Sequence, residues 1–423
     1  MPAKKVIIVG GGFAGLKAAR ALGNKSDIVV TLIDRRNYHL FQPLLYQVAT
    51  AGLSPAEISG PIRGILSQYK NVSVFLDNVE SVDLKNKKLQ VPGQSLDYDY
   101  LILACGAKHS YFNHPEWEEN APGLKTLEQA TEIRRRLLMA FELAEKESDT
   151  EKQKQHLTFV IVGAGPTGVE LAGAIAEISR HTLMKNFRRI DPSRTRVLLI
   201  EAGPRILAAF DSELSRKAAR DLEDLGVQIW TNTRVTDVKN TSVVLGEEIV
   251  KASTILWAAG VQPSSLNKIL GTPLDRAGRV IIEKELCLKD HPEVFVLGDQ
   301  ACLMGEDGTP LPGLASVAMQ QGVHAANQIL RDVKGQPRRP FRYLDKGQMA
   351  TIGRKKAIAQ IHNLKFSGFF AWILWLFIHV YYLIGFKNKF FVIWQWAYAY
   401  LTLKRGARLI VDKEWRSQPK SSV

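Results

Sequence analysis

A chain of 423 residues with 46% hydrophobic and 23% charged side chains has room for two or three domains and a sizeable core, which excludes the disordered and fibrous classes. Its net charge of +14 sits at one end: residues 331–423 hold 18 Lys plus Arg against 4 Asp plus Glu, and the first 330 are balanced. Between Phe366 and Tyr400 lie 15 of the 36 Phe, Trp and Tyr residues, an interleaving that points to a lipid surface as the partner of this basic region and away from nucleic acid.

The N-terminus, MPAKKVIIVGGG, enters an apolar strand without the long apolar region and cleavage site of a signal peptide, so the bulk of the chain is expected to stay on the cytoplasmic side. The three cysteines, Cys105, Cys287 and Cys302, form no CxxC pair and suit a reduced setting. Val6-Ile7-Ile8-Val9 predicts a strand, Gly10 to Gly15 a glycine loop, and Leu16-Lys17-Ala18-Ala19 the helix that follows. Ile28 to Ile33 predicts the next strand, ending at Asp34. The pattern recurs 153 residues later, with a strand at Phe159 to Val162, the loop Gly163-Ala164-Gly165-Pro166-Thr167-Gly168, a helix, and a strand at Val197 to Ile200 that ends at Glu201.

A single GxGxxG is weak evidence; two copies, each between a buried strand and a small-residue helix and each followed by an acid at the end of the next strand, predict two dinucleotide sites. The first glycine allows a tight turn, the second lets backbone approach a pyrophosphate, and the third lets helix and strand pack. The acid accepts hydrogen bonds from ribose hydroxyls, and a carboxylate at Glu201 repels a 2′-phosphate and so favours NADH, although Arg205 lies close in sequence. Two dinucleotides in one chain predict one bound flavin and one exchanging nicotinamide. Tyr98 to Ala107 and Thr254 to Val261 read as apolar strands ending in small residues, and Val294 to Asp299 as another, ending in a Gly-Asp pair.

From Phe366 to Phe386 run 21 residues without a formal charge, then Lys387-Asn388-Lys389, then 14 uncharged residues from Phe390 to Leu403 before Lys404, Arg405 and Arg408. The first run is long enough to span a bilayer as a helix. Basic residues on every flank favour helices lying in the membrane surface, since a span would carry one basic group to the far side. A single span at 366–386 is the alternative. A buried core helix is disfavoured by Trp372, Trp375, Trp394 and Trp396.

These residues resemble the two-dinucleotide-binding flavoproteins and, within them, the type II NADH:quinone oxidoreductases. The two loops and Gly298-Asp299 are shared widely; the narrower likeness is Asp34-Arg35-Arg36-Asn37-Tyr38-His39-Leu40-Phe41-Gln42-Pro43-Leu44-Leu45-Tyr46-Gln47-Val48-Ala49, joined by Trp257-Ala258-Ala259-Gly260-Val261 and the aromatic C-terminus. The resemblance covers essentially the whole chain. It implies an α/β fold with two Rossmann-like dinucleotide-binding domains, the second inserted in the first, plus a C-terminal membrane-anchoring helical region. The expected segments are 1–120 and 261–340 for FAD, 121–260 for NADH, and 341–423 for the membrane.

The resemblance further implies FAD on Gly10, Gly12, Phe13, Ala14, Gly15, Asp34, Arg35, Ala104, Gly106, Gly298 and Asp299, and NADH on Gly163, Gly165, Thr167, Gly168, Glu201 and Gly260. Quinone is expected against Ser316, Gln320 and Gln321. The family commonly has Gln where Ser316 stands, and Cys105 replaces the usual Thr. Glu170, just inside the second loop's helix, is the expected proton-handling group, with a helix-terminal acid as the plainer reading. The activity implied is electron transfer from NADH to quinone without proton pumping, on the cytoplasmic face of a membrane; a homodimer is left open. The competing readings are an NADH-dependent reductase of a protein acceptor and a non-catalytic NADH-sensing flavoprotein.

Overall fold

Each glycine loop turns from a buried parallel strand straight into a helix. The computed structural model describes residues 2–402 and 406–411. In chain order its first elements are β1 (Lys4–Val9), α1 (Phe13–Leu22), β2 (Ile28–Asp34), α2 (Leu45–Ala49), β3 (Val72–Leu76), β4 (Tyr100–Leu103) and α3 (Leu127–Lys146). Next come β5 (Thr158–Val162), α4 (Pro166–Glu177), β6 (Arg196–Ile200), α5 (Ser212–Asp224), β7 (Val227–Trp230), β8 (Thr254–Trp257) and β9 (Val294–Val296). The chain closes with α6 (Ala315–Val333), β10 (Gln348–Thr351), β11 (Ala357–Ile361), β12 (Leu364–Ser367), α7 (Gly368–Tyr382) and α8 (Phe386–Thr402).

The described residues form two compact units. The first takes the chain up to Leu40, Ser59–Lys108 and Val261–Lys346; the second takes Phe41–Ile58, His109–Gly260 and the residues from Gly347 onward. The second is thus inserted in the first, and it also gathers 41–58 and the C-terminal segment. Its limits differ from the expected functional segments, since 41–58 and 109–120 fold with it.

In the first unit β1 lies at the middle of a parallel sheet ordered β9-β4-β1-β2-β3, with Val6 opposite Val30 on one side and Tyr100 on the other. In the second unit β5 holds the equivalent place in the parallel order β7-β6-β5-β8. Strands covered on both faces need apolar residues at successive positions, which is why Val6 to Val9 and Phe159 to Val162 are buried throughout.

The last part of the second unit is an antiparallel sheet, β10-β11-β12, followed by α7 and α8. Phe366 pairs with Ala359 in this sheet, so the uncharged run from Phe366 to Phe386 is not one helix. It is divided into a strand end, the 15-residue α7, an extended Leu383 and a left-handed Gly385. A helix of 15 residues is about 22 Å long, short of the roughly 30 Å hydrocarbon core. No helix among the described residues is long and apolar enough to cross a membrane, so the alternative of a single span at 366–386 is not supported.

α7 packs Ala371 and Trp372 against Ala357 and Ala359 of β11. Trp372, Trp375 and Trp396 face inward and Trp394 is exposed, so three of the four tryptophans expected at a lipid interface belong to the core. The outward side of α7 carries Phe370 (79% exposed) and Phe377 (73%), and that of α8 carries Phe390 and Trp394 (63%). The basic flank residues Lys404 and Arg405 lie outside the described residues.

Candidate active site

The two loops are close geometric copies. Gly10 (φ +103°) and Gly163 (φ +97°) occupy the left-handed region that lets the strand turn into the loop. A Cβ at Gly15 would overlap the Gly10 carbonyl oxygen, and one at Gly168 would overlap that of Gly163, so the third glycine closes each turn. The helix N-caps Gly12 and Gly165 are extended, and the position a Cβ would take at each meets nothing within 4 Å. That open space beside a helix N-terminus fits a pyrophosphate approaching backbone amides that the helix cannot itself satisfy.

In the first unit the Asp34 carboxylate accepts from the amides of Gly11 (2.6 Å) and Arg36 (2.7 Å), which holds the strand-end acid at the mouth of the loop. Arg35 beside it is exposed, and Ala14 is buried. Nδ1 of buried His39 donates to the Gly11 carbonyl at 2.9 Å, and the ring sits edge-on to Phe13 at 5.3 Å. Burial lowers the His39 imidazole to about 4, so it is neutral, and its buried Nε2 meets no hydrogen-bond partner among the described residues. His39 was not among the expected site residues, although it stands inside the segment that carries the family resemblance.

In the second unit Glu201 accepts from the amides of Ala164 and Gly203, both at 2.8 Å, repeating the Asp34 arrangement. Arg205 donates to the carbonyls of Phe210 and Ala208, each at 2.7 Å, and is thereby tied to its own loop. Thr167 lies in the first turn of α4, and Gly260 (φ +72°) follows β8 with its carbonyl accepting from Ser110.

Gly298 and Asp299 form the turn after β9 in the first unit, where the Gly298 amide donates to Oε1 of Gln321 at 2.7 Å. Gln321 is buried, and α6 lies so close to α1 that a Cβ at Gly322 would overlap the Ala14 carbonyl. Gln320 uses both ends of its amide on the backbone of Leu344 (2.9 and 3.0 Å). Ser316 pairs with the hydroxyl of Tyr343 at 2.9 Å, a partner far along the sequence that no local pattern announces. The strand end at Ala104 is supported by Gln300, whose Oε1 accepts from the Cys105 amide, and Gly106 (φ +67°) follows. Burial, aided by the charge of Asp34, pushes the Cys105 thiol up to about 12, which leaves it inert as a nucleophile.

Glu170 lies in the second unit on α4. It keeps some solvent-facing surface, yet the protein packed round its carboxyl pushes it up to about 8 against the opposing hydrogen bond from the Thr351 amide. Burial therefore favours its protonated form relative to an ordinary carboxylate.

Residues 4–322 match the family described as pyridine nucleotide-disulphide oxidoreductase, and residues 346–404 match the NDH2 C-terminal domain. Across 97% of its length the chain is 43% identical to a Mycobacterium tuberculosis protein named type II NADH:quinone oxidoreductase NdhA, 90% of which is covered. It is 30% identical to the internal alternative NAD(P)H-ubiquinone oxidoreductase A1, mitochondrial, of Arabidopsis thaliana, over 93% of this chain and 83% of that one. Among solved structures, NDH2 from Plasmodium falciparum in complex with NADH superposes with a TM-score of 0.87 at 20% identity, over 97% of this chain and 100% of that one. The sulfide:quinone oxidoreductase of Aquifex aeolicus follows the same fold, with a TM-score of 0.74 at 20% identity over 92% of each chain.

Proposed function

The chain belongs to the type II NADH:quinone oxidoreductases, FAD-dependent enzymes that pass electrons from NADH to quinone, and from that membership we propose how its own residues divide the work. The observation that carries the reading is the duplicated cradle: two glycine loops of matching geometry, each clamped by a strand-end carboxylate through the amide after its first glycine.

In this reading the first unit holds FAD. The loop of Gly10, Gly12, Phe13, Ala14 and Gly15 takes its pyrophosphate at the open Gly12 end, with Gly10 and Gly15 shaping the turn; Asp34 takes its ribose, with Arg35 beside it, and Ala104, Gly106, Gly298 and Asp299 its remaining length. FAD, when bound, supplies the two-electron store that takes hydride from NADH and returns electrons to quinone. The second unit holds NADH on Gly163, Gly165, Thr167, Gly168 and Gly260, with Glu201 accepting from the adenosine ribose. Arg205, tied to its own loop, is not presented to a 2′-phosphate, which supports NADH over NADPH.

α6 presents Ser316 to quinone, while Gln320 and Gln321 keep Leu344 and Gly298 in place. Net reduction to quinol takes two electrons and two protons, and Glu170 donates one of these protons and is recharged from solvent. The reaction is not coupled to proton pumping. The segments 1–120 with 261–340, 121–260 and 341–423 are proposed as the FAD, NADH and membrane portions.

Attachment is proposed at the cytoplasmic face through the exposed aromatic sides of α7 and α8. Exposed aromatic rings on both helices, in a stretch whose sequence is rich in Lys and Arg, suit the headgroup boundary of a bilayer. A homodimer would double the footprint of this attachment. Anaerobic stopped-flow of the detergent-purified enzyme tests the assignment: NADH should bleach the flavin absorbance and a short-chain quinone should restore it rapidly. Bleaching without recovery would refute quinone reduction and favour a protein acceptor.

A further inference from the structure

Within the second unit a line of hydrogen bonds, passing through Thr351 from its hydroxyl to its backbone amide, joins α8 to the helix that carries Glu170. The indole Nε1 of Trp396 donates to Oε1 of Gln47 at 2.7 Å. Nε2 of Gln47 donates to the hydroxyl of Tyr46 at 3.0 Å. That hydroxyl pairs with Oγ1 of Thr351 at 3.1 Å, and the amide of Thr351 donates to the Glu170 carboxyl. An indole N–H is a donor only, so it fixes which way the Gln47 amide faces. The Tyr46 hydroxyl accepts from Gln47 and pairs with Thr351 Oγ1, where either hydroxyl can donate; the bonds at the two ends of the line have their donors on the α8 side.

The middle of this line is rigidly held. The buried guanidinium of Arg134 donates to the carbonyls of Val48 (2.8 Å) and Leu53 (2.9 Å), fixing the end of α2. The Gln47 carbonyl accepts from Gly52 at 2.7 Å. A second clasp sits beside the first, where Gln395 of α8 donates to Glu57 at 2.9 Å. α8 is therefore joined to residues 47 and 57 by two adjacent side chains, more than apolar docking of a surface helix requires.

We propose that Gln47 is a positioning residue for quinone reduction, transmitting the docked state of α8 through Tyr46 and Thr351 to the carboxyl of Glu170. The proposal rests on the reading of Glu170 as the proton-donating group. Among the described residues, titratable side chains near the line include Tyr46 within it, Glu57 and Arg134 beside α2, and His379 on α7, which stacks on Trp375 next to Trp396; Glu170 itself is shifted by burial and by the Thr351 amide. Burial raises Glu170 and the Thr351 amide lowers it, so loosening that amide raises the carboxyl further and weakens its aim.

The test uses the full-length FAD-loaded enzyme in detergent and follows flavin reoxidation by a short-chain quinone from pH 6 to pH 10, with reduction by NADH in the same mixing sequence as internal reference. Trp396→Phe removes the indole N–H and keeps an aromatic ring; Gln47→Met keeps length and removes both polar atoms. Each is expected to slow reoxidation about 3–10-fold and to move the alkaline limb of its pH profile upward by about half a unit or more, and the double variant should do no more than either single one. A merely structural role for α8 would lower thermal stability or vesicle binding and leave the alkaline limb where it is, and that result overturns the proposal. Glu170→Gln separates the two claims. If it abolishes the limb while Gln47→Met and Trp396→Phe do not move it, the positioning role is wrong and the reading of Glu170 stands. If the limb survives Glu170→Gln, both fall.

Discussion

The Gly11 carbonyl is held by Nδ1 of His39 at 2.9 Å, while the amide of the same glycine is held by Asp34, so one residue of the first loop is gripped at both its polar atoms. A Cβ at Gly11 would come within 2.5 Å of the Ile62 side chain, which leaves no room for the loop to shift on that side. The second loop has the carboxylate grip at Ala164, and the first adds the imidazole.

His39→Leu leaves a buried carbonyl without its donor, a cost of about 1–3 kcal/mol concentrated at the cofactor loop. The expected outcome is a purified protein with clearly less than one flavin per chain and a flavin dissociation constant raised about tenfold or more. Flavin absorbance against protein concentration, followed by titration with added FAD, measures both. A variant that retains its full flavin complement would show that Asp34 alone fixes the loop.

Three buried imidazoles, His39, His109 and His379, are each lowered to about 4, with burial the main cause in every case. In the unfolded chain they titrate near 6.5. The unfolded state therefore binds more protons between about pH 6.5 and 4, and stability must fall as pH drops through that window. Thermal unfolding at pH 7, 5.5 and 4.5 should show a progressive decline beginning well above the carboxylate range. His379→Phe, which removes one of the three titrations within an aromatic cluster, should flatten it.

Glu201→Gln removes the charge that repels a 2′-phosphate but leaves Arg205 tied to Phe210 and Ala208. NADH turnover should show a KM about 10-fold higher, consistent with weakening a charged hydrogen bond, and NADPH should remain a poor donor. A variant that used NADPH as well as NADH would mean that Arg205 releases its carbonyl partners readily. Steady-state kinetics with both nucleotides decides this.

Phe370→Ser and Trp394→Ser change exposed rings on α7 and α8 and leave the inward residues Trp372, Trp375 and Trp396 untouched. Each substitution should reduce partition onto vesicles of anionic lipid about 10-fold, with flavin content and thermal stability unchanged. Flotation assays give the partition directly. Truncation before residue 366 is a poorer test, because it would uncover Ala357 and Ala359, the surface that α7 packs against.

Both nucleotide loops were legible because their determinants are local: a buried strand, three glycines at fixed spacing and an acid one strand later leave little conformational choice. Gln320 and Gln321 show the limit. Their sequence position marks the segment of interest, but only the fold brings Leu344 and Gly298 within reach of their amides. The antiparallel sheet at 348–367 escaped notice because its strands are short and polar at their edges, and because the apolar run beginning at Phe366 looked continuous across the join of strand and helix. Hydropathy treats a tryptophan at a lipid interface and one beneath a surface helix alike, so the sequence pattern does not show that Trp372, Trp375 and Trp396 face inward. His39 and Gln47 lie inside the most distinctive stretch of the sequence, yet their partners are a backbone carbonyl and a distant indole.

Strand β9 completes the first sheet beside β4, although the entire stretch His109–Gly260 is synthesised between them. During translation β4 is therefore made before its partner on that side, with the whole of the second parallel sheet made in between. An unpaired parallel edge is a template for the wrong partner, and a closure this remote in sequence is slow. The order of synthesis therefore makes the yield of folded enzyme sensitive to how long that half-built edge stays open before β9 emerges.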